Sequence, residues 1–339
     1  MNKNKEKLMR AIVLDGRGSV QLANVPEPIA GPFDVIVAPQ AVGICGTDLH
    51  LCHGDYPTGK FPVVPGHEFA GIVTAVGSSV TRFKEGDRVC VDPNVACGKC
   101  DECRRGAVNL CLHLVPIGVT SSGACAELVS VPEKVVYALP EGLDMGSGAL
   151  IEPLACVLHG FRRSPEMKDK RILIYGAGSI GLLATAVAKA EGATLIEIVE
   201  PSKVRREAAL EFGASRVYAP GERTSARDVD IVIEASGHIG AVSDAITRLA
   251  NRGTLLQMGV CNPDEHIHLH PYELFDRELS LTGSQSLESS YPDAIRKITS
   301  LPNLATRMVS HTFALADFGD ALEAARSESA RKVQILPQQ

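Results

Sequence analysis

Four cysteines stand in one short polar stretch, Cys97, Cys100, Cys103 and Cys111. Three sulfurs recur at every third residue and the fourth follows eight positions later. Zinc takes four thiolates in a tetrahedron, each at about 2.3 Å. A glycine-broken turn can wrap the first three around one ion, and a short return supplies the fourth. The charged residues between them, Lys99, Asp101, Glu102, Arg104 and Arg105, mark a solvated loop, where buried structural thiols do not normally crowd. A closed four-thiolate site leaves no open coordination position. It is expected to hold a lobe together, at about 93–113, and to do no chemistry.

A reactive metal needs a different set, with three protein ligands and room for water or substrate. Cys45, His67 and Glu68 offer sulfur, nitrogen and oxygen, and Glu152 offers a second carboxylate farther along. Thiolate and imidazole suit zinc better than magnesium or calcium. Spacing alone does not show that these residues converge, because a single cysteine or histidine is most often an ordinary core or surface residue.

A third group points to a nucleotide. Gly176, Gly178 and Gly181, with Ser179 and Ile180 between them, follow an apolar run, Arg171 to Tyr175, and open an Ala/Leu-rich helix. In that context the first glycine permits a tight turn, the second lets backbone approach a pyrophosphate, and the third lets the helix sit close to the sheet. The phosphates would meet free N–H groups at the helix N-terminus. Glu200 lies 19 positions beyond Gly181, where a carboxylate can grip a ribose diol, so NAD is favoured over NADP. Lys203, Arg205 and Arg206 lie beside it and pull the other way; Arg205 is taken as a further cofactor contact.

These groups need elements to carry them. The first part of the chain, from residue 10 to about 139, alternates short β-rich runs with Gly/Pro punctuation, which reads as a barrel-like β domain. From residue 143 the texture changes. A helix is expected over Leu143–Arg163, then strands at Arg171–Tyr175, Thr194–Val199, Val229–Ile233 and Thr254–Met258. Helices Ser202–Phe212 and Ala241–Ala250 fall between them. Strand alternating with helix predicts a doubly wound parallel sheet. A later helix is expected at Pro292–Ser300, and the strand-like end from Val333 is expected to return to the first domain. The domains are therefore read as 1–150 with 290–339, and 151–289.

The chain has 339 residues, net charge −6, 45% hydrophobic residues and 4% aromatic residues without tryptophan. That balance argues against a nucleic-acid surface. No apolar run reaches the length of a membrane span, and the charged start, Met1 to Arg10, lacks the apolar core of a signal peptide. Ten cysteines in such a chain point to a reducing compartment, and a cytoplasmic location is expected.

Taken together, the stretches from Cys45 to His50 and from Gly66 to Gly71, with Gly77 and Val80 beyond, the four-cysteine lobe and the Gly176–Gly181 turn occur in one order. In that order the chain resembles the zinc-dependent medium-chain alcohol dehydrogenases over essentially its whole length. The resemblance implies a GroES-like β-rich catalytic domain plus a Rossmann domain. It implies two zincs per chain: one on Cys45, His67 and a carboxylate, and one on Cys97, Cys100, Cys103 and Cys111. Ile151-Glu152-Pro153 resembles the polyol branch, in which Glu68 or Glu152 binds the metal directly or through water. It further implies reversible NAD-linked oxidation of a secondary alcohol to the ketone, a polyol or sugar alcohol or, as the alternative within the same branch, a threonine-, butanediol- or cyclitol-type substrate, with Thr47 taking the alcohol proton and passing it through the cofactor ribose to His50, which reaches solvent. Asp48 would orient His67 or cap a helix, and Cys156 would be core. A dimer or tetramer is expected, acting on a small-molecule alcohol. Tyr56, Phe61, Ile117 and Ser286 are pocket candidates; Ser286 stands where sorbitol dehydrogenases carry an arginine, which puts sorbitol itself in doubt. Two rival classes, a zinc-free reductase on the same scaffold and a nucleotide sensor without activity, would leave the Cys45/His67 pair without a purpose.

Overall fold

Val35, Ile36, Val37, Ala38, Ala41 and Val42 are buried with little alternation between faces, so the strand Asp34–Gly43 runs through the middle of a sheet. In the computed structural model, which describes residues 7–54, 59–222, 224 and 228–339, that strand is the hub of the first unit. Tyr56 and the first six residues lie outside the described residues. The sheet runs in the order Val309–Ala314, Lys332–Leu336, Asp34–Gly43, Glu68–Val76, Arg88–Val91, Val136–Ala138, and Val129–Pro132 also pairs with the hub. All its pairings are antiparallel except that of the two C-terminal strands. The chain's end is thus the neighbour of the strand that leads to Cys45.

The second unit holds a six-stranded parallel sheet. Its order is Arg216–Tyr218, Leu195–Val199, Arg171–Tyr175, Val229–Glu234, Leu249–Gln257, Ser280–Gly283. Counted along the unit this is 3-2-1-4-5-6, the doubly wound order with its switch point between the first and fourth strands. Ile172, Leu173, Ile174 and Ile231, Val232, Ile233 are fully buried, because helices cover both faces of such a sheet. The helices Ser179–Ala190, Lys203–Phe212 and Ile239–Arg248 follow the first, second and fourth strands.

The first unit comprises 1–152, 294–327 and 332–339, and the second 153–293 and 328–331. Glu152 therefore goes with the first unit, while 290–293 and 328–331 go with the second. The short return packs there because Ser179 Oγ donates to the Arg331 carbonyl at 2.6 Å, Ser202 Oγ lies 3.4 Å from Glu328 Oε2, and Arg331 pairs with Glu211 at 3.5 Å.

Several element bounds differ from expectation. The single helix expected over Leu143–Arg163 is two, Met145–Ala149 and Ile151–Arg162. Pro153 lacks an N–H and is tolerated only in a first helical turn, so a second helix starts just before it. The helix expected to reach Ala250 stops at Arg248, because Leu249 already belongs to a strand. Among the described residues no helix is long and apolar enough to cross a membrane.

Candidate metal and cofactor sites

Cys45 caps the helix Gly46–His53. Asp48 fixes that end: its Oδ2 accepts from the Cys45 N–H at 2.8 Å, and its Oδ1 accepts from the Gly66 N–H at 3.4 Å. One buried carboxylate thus ties together the two turns that carry Cys45 and His67. Of its two expected roles, Asp48 performs the cap. It stands 3.6 Å from His67 Nδ1, which has no hydrogen-bond partner among the described residues, so it acts on that ring through charge.

The donor atoms of Cys45, His67 and Glu68 lie within 4.8 Å of one another. Burial opposes a charge on His67, but Asp48, Cys45 and Glu152 outweigh it and hold its pKa well above the ordinary histidine value. The field that favours a proton on this ring also favours a divalent cation, so the donor set fits a zinc. Glu152 is outside that tight group but feels it. Burial first, and then the Glu68 charge, push its pKa up to about 7. Thr47 is half-buried with its hydroxyl 3.9 Å from the Cys45 sulfur, and His50 is exposed near the end of the same helix.

Sequence reasoning missed Lys332. Its ammonium donates to Glu68 Oε2 at 2.6 Å, to Glu68 Oε1 at 2.9 Å and to the Ile44 carbonyl at 3.1 Å, so all three of its protons have acceptors. Both side chains are buried, with Lys332 3% and Glu68 1% exposed. Burial alone would lower the Lys332 pKa; the Glu68 carboxylate more than offsets this and raises it. The pair closes across the hub strand. Gly43 pairs with Glu68 on one side and Gln334 on the other, and a Cβ at Gly43 would sit 2.0 Å from Glu68 Oε2. The only signal in the sequence is a lysine opening a terminal strand that is otherwise uncharged.

The four cysteines of the lobe converge. Sγ–Sγ separations are 3.5 Å for Cys100–Cys103, 3.8 Å for Cys100–Cys111 and 4.0 Å for Cys97–Cys103. A tetrahedron with about 2.3 Å from centre to sulfur has edges of about 3.8 Å, so these spacings fit a zinc. The Cys97 and His113 N–H groups both point at the Cys111 sulfur, each at 3.3 Å. The Cys103 N–H is the largest of the influences that draw the Cys100 thiol down to about 6, whereas burial, first among its causes, pushes the Cys103 thiol up to about 12.

In the second unit Gly176 takes a left-handed φ of 95°, and a Cβ at Gly181 would lie 2.0 Å from the Gly176 carbonyl. A Cβ at Gly178 would meet nothing within 4 Å, so the backbone there faces open space in front of the helix start. Ile180 lies in the first turn of that helix, and the Ser179 hydroxyl is spent on the Arg331 carbonyl, which leaves its backbone N–H for an anion. Glu200 immediately follows the second strand. Its Oε2 accepts from the Ala177 N–H at 2.8 Å and its Oε1 from the Ser202 N–H at 2.9 Å. Arg205 lies on the following helix, where its own N–H donates to Ser202 Oγ. Of the remaining candidates, Ile117 is buried, Phe61 and Cys156 are half-buried, and Ser286 adopts φ 56° in the second unit. Cys156 is thus not the core residue expected.

Comparison with known proteins decides the family. Residues 31–141 match the alcohol dehydrogenase GroES-like domain and 179–300 the zinc-binding dehydrogenase domain. D-altritol 5-dehydrogenase of Agrobacterium fabrum is 36% identical over 91% of this chain and 94% of its own. The chain belongs to the zinc-dependent medium-chain alcohol dehydrogenase family. Sorbitol dehydrogenase of Bacillus subtilis is 32% identical over 97% of each chain. The solved structure of a zinc-binding dehydrogenase from Sinorhizobium meliloti, bound to NADP, superposes with a TM-score of 0.94 at 34% identity, covering 98% of this chain and 100% of that one. The expected fold class, a GroES-like domain with a Rossmann domain, holds for this dehydrogenase. It is a zinc- and nicotinamide-dependent oxidoreductase of small-molecule alcohols, which removes both rival classes.

Proposed function

We propose that this dehydrogenase oxidises a secondary hydroxyl of a sugar alcohol to the ketone, reversibly and with NAD. The convergence of Cys45, His67 and Glu68 carries this reading, together with relatives named for D-altritol and sorbitol. Cys45, His67 and Glu68 would hold one zinc, with Glu152 the adjoining carboxylate, and the four lobe cysteines a second. When bound, the first zinc supplies Lewis acidity that lowers the pKa of the alcohol. The net reaction turns alcohol and NAD into ketone, NADH and a proton. Disposal of that proton falls to the chain. Thr47, whose hydroxyl lies 3.9 Å from the Cys45 sulfur, would accept it while passing on its own, and His50, exposed on the same helix, would release it to solvent.

The Glu200 carboxylate supports NAD. Each of its oxygens accepts one backbone N–H and keeps a lone pair for a ribose hydroxyl, while its charge repels a 2′-phosphate. The Arg206 side chain, which would favour NADP, donates instead to the Glu200 and Pro201 carbonyls at 2.6 and 2.7 Å. A panel of hexitols, pentitols and vicinal diols, each with NAD and with NADP and followed at 340 nm, tests both points. The expected result is turnover of at least one hexitol or pentitol, with kcat/KM about tenfold or more higher for NAD. Turnover of simple alcohols alone, or a preference for NADP, would contradict the proposal.

A homodimer or homotetramer is supported by the edge strand Ser280–Gly283, which among the described residues pairs on one side only. Phe275 and Val260, 79% and 86% exposed, lie in the same unit. Sedimentation at monomer mass would exclude it.

A further inference from the structure

The last residues of neighbouring strands in the parallel sheet stand level. Val199 pairs with Tyr175, Tyr175 with Glu234, Glu234 with Gln257, and Gln257 with Gly283. Ligands of open α/β sheets bind outside this carboxyl edge, one mononucleotide on each half. The first half, with the Gly176 turn and Glu200, is suited to the adenosine end. The second half, at Glu234, Gln257 and Gly283, is then left for the nicotinamide end.

Glu234 is fully buried, yet all its partners are neutral donors. Its Oε1 accepts from the Ser236 N–H at 2.8 Å, the Gly237 N–H at 3.0 Å and the Ser236 hydroxyl. Its Oε2 accepts from Gln257 Nε2 at 2.7 Å and from Gly237 N–H at 3.1 Å. Gln257 Nε2 also donates to the Gly259 carbonyl at 2.7 Å, and the Ser284 N–H donates to the Gln257 carbonyl at 2.9 Å. Two strand-end loops, those after Glu234 and Gln257, are thereby joined through one carboxylate and one side-chain amide, and the backbone bond from Ser284 sets the third loop alongside. The junction has no room to spare, since a Cβ at Gly259 would lie 2.3 Å from Glu234 Oε2 and one at Gly237 2.4 Å from the Val260 carbonyl. Gln257 Oε1 and Ser284 Oγ are buried and have no hydrogen-bond partner among the described residues. Burying a carboxyl group with no basic partner costs solvation, and an apolar contact would hold two loops together at lower cost. What the carboxylate adds is direction: it accepts several N–H groups at once and so fixes the loop conformation.

We propose that Glu234, latched to Gln257, is a positioning residue that shapes the nicotinamide half of the cofactor site. This rests on the reading that the sheet edge takes a nicotinamide dinucleotide. The test compares NADH, which fills both halves, with ADP-ribose, which lacks the nicotinamide, by calorimetric titration of the full chain. Glu234→Gln keeps the shape but turns one acceptor into a donor facing N–H groups. We expect NADH to bind about tenfold or more weakly and ADP-ribose to change by less than about twofold. The double variant E234Q/Q257E restores an acceptor opposite a donor and should recover part of the NADH affinity. If Glu234→Gln does not fold, Gln257→Leu breaks the same latch and should show the same split. Parallel loss of both ligands, or no loss of either, would overturn the proposal. Wild-type protein that binds neither ligand would instead sink the cofactor reading, and this inference with it.

Discussion

Cys45→Ala is expected to reduce polyol turnover by roughly a thousandfold or more while the fold persists. A Lewis acid contributes several kcal/mol of charge stabilisation in such reactions, and each 1.36 kcal/mol is about a factor of ten. Cys45 is the one sulfur in its cluster, and the softest donor there; without it His67 and the Glu68 carboxylate remain, a harder and less selective set. The scaffold around it depends on other contacts. Asp48 accepts from the backbone N–H of residue 45, which alanine retains, and the four-cysteine lobe is untouched. Near-normal turnover in this variant would remove Cys45 from the site. Loss of the circular-dichroism spectrum along with activity would show that its role is structural.

Lys332→Met should give the largest loss of stability among single changes in the first unit. It leaves Glu68 buried beside Cys45 and Glu152 without its ammonium partner, and breaking a buried pair from one side typically costs about 3–5 kcal/mol. The penalty should be greatest in chelator-treated protein and smaller when zinc is supplied, because a divalent cation in the Cys45/His67/Glu68 cluster would compensate the orphaned carboxylate. Removing both partners, as in E68L/K332M, should recover much of the loss. Urea unfolding with and without zinc measures all three. A midpoint within experimental error of wild type for Lys332→Met in the chelated protein would contradict the argument.

What could be read from the chain, and what could not, follows sequence distance. The lobe was legible because its four thiols fall within fifteen residues and fold on themselves. The glycine turn was legible because strand, turn and helix are contiguous, so each glycine has a local reason. Cys45 and His67 needed the family resemblance, since nothing local shows that two turns share Asp48. Lys332 escaped altogether: it is 264 residues from Glu68, and only the order of strands around Gly43 brings them together. Glu234 escaped for the same reason, because a carboxylate ending an apolar strand reads as a solvent-facing terminus until the fifth strand places Gln257 beside it. The break at Leu150 was signalled by Pro153, and the uniform apolar texture of the helix masked it.

The most direct test is crystallographic: anomalous scattering measured on both sides of the zinc edge from protein grown with zinc. Two peaks per chain are predicted. One lies within bonding distance of Cys45 Sγ, a His67 ring nitrogen and a carboxylate oxygen of Glu68 or Glu152, and the other is centred among Cys97, Cys100, Cys103 and Cys111. A single peak in the lobe, with no zinc near Cys45 and His67 at full metal supply, would contradict the account.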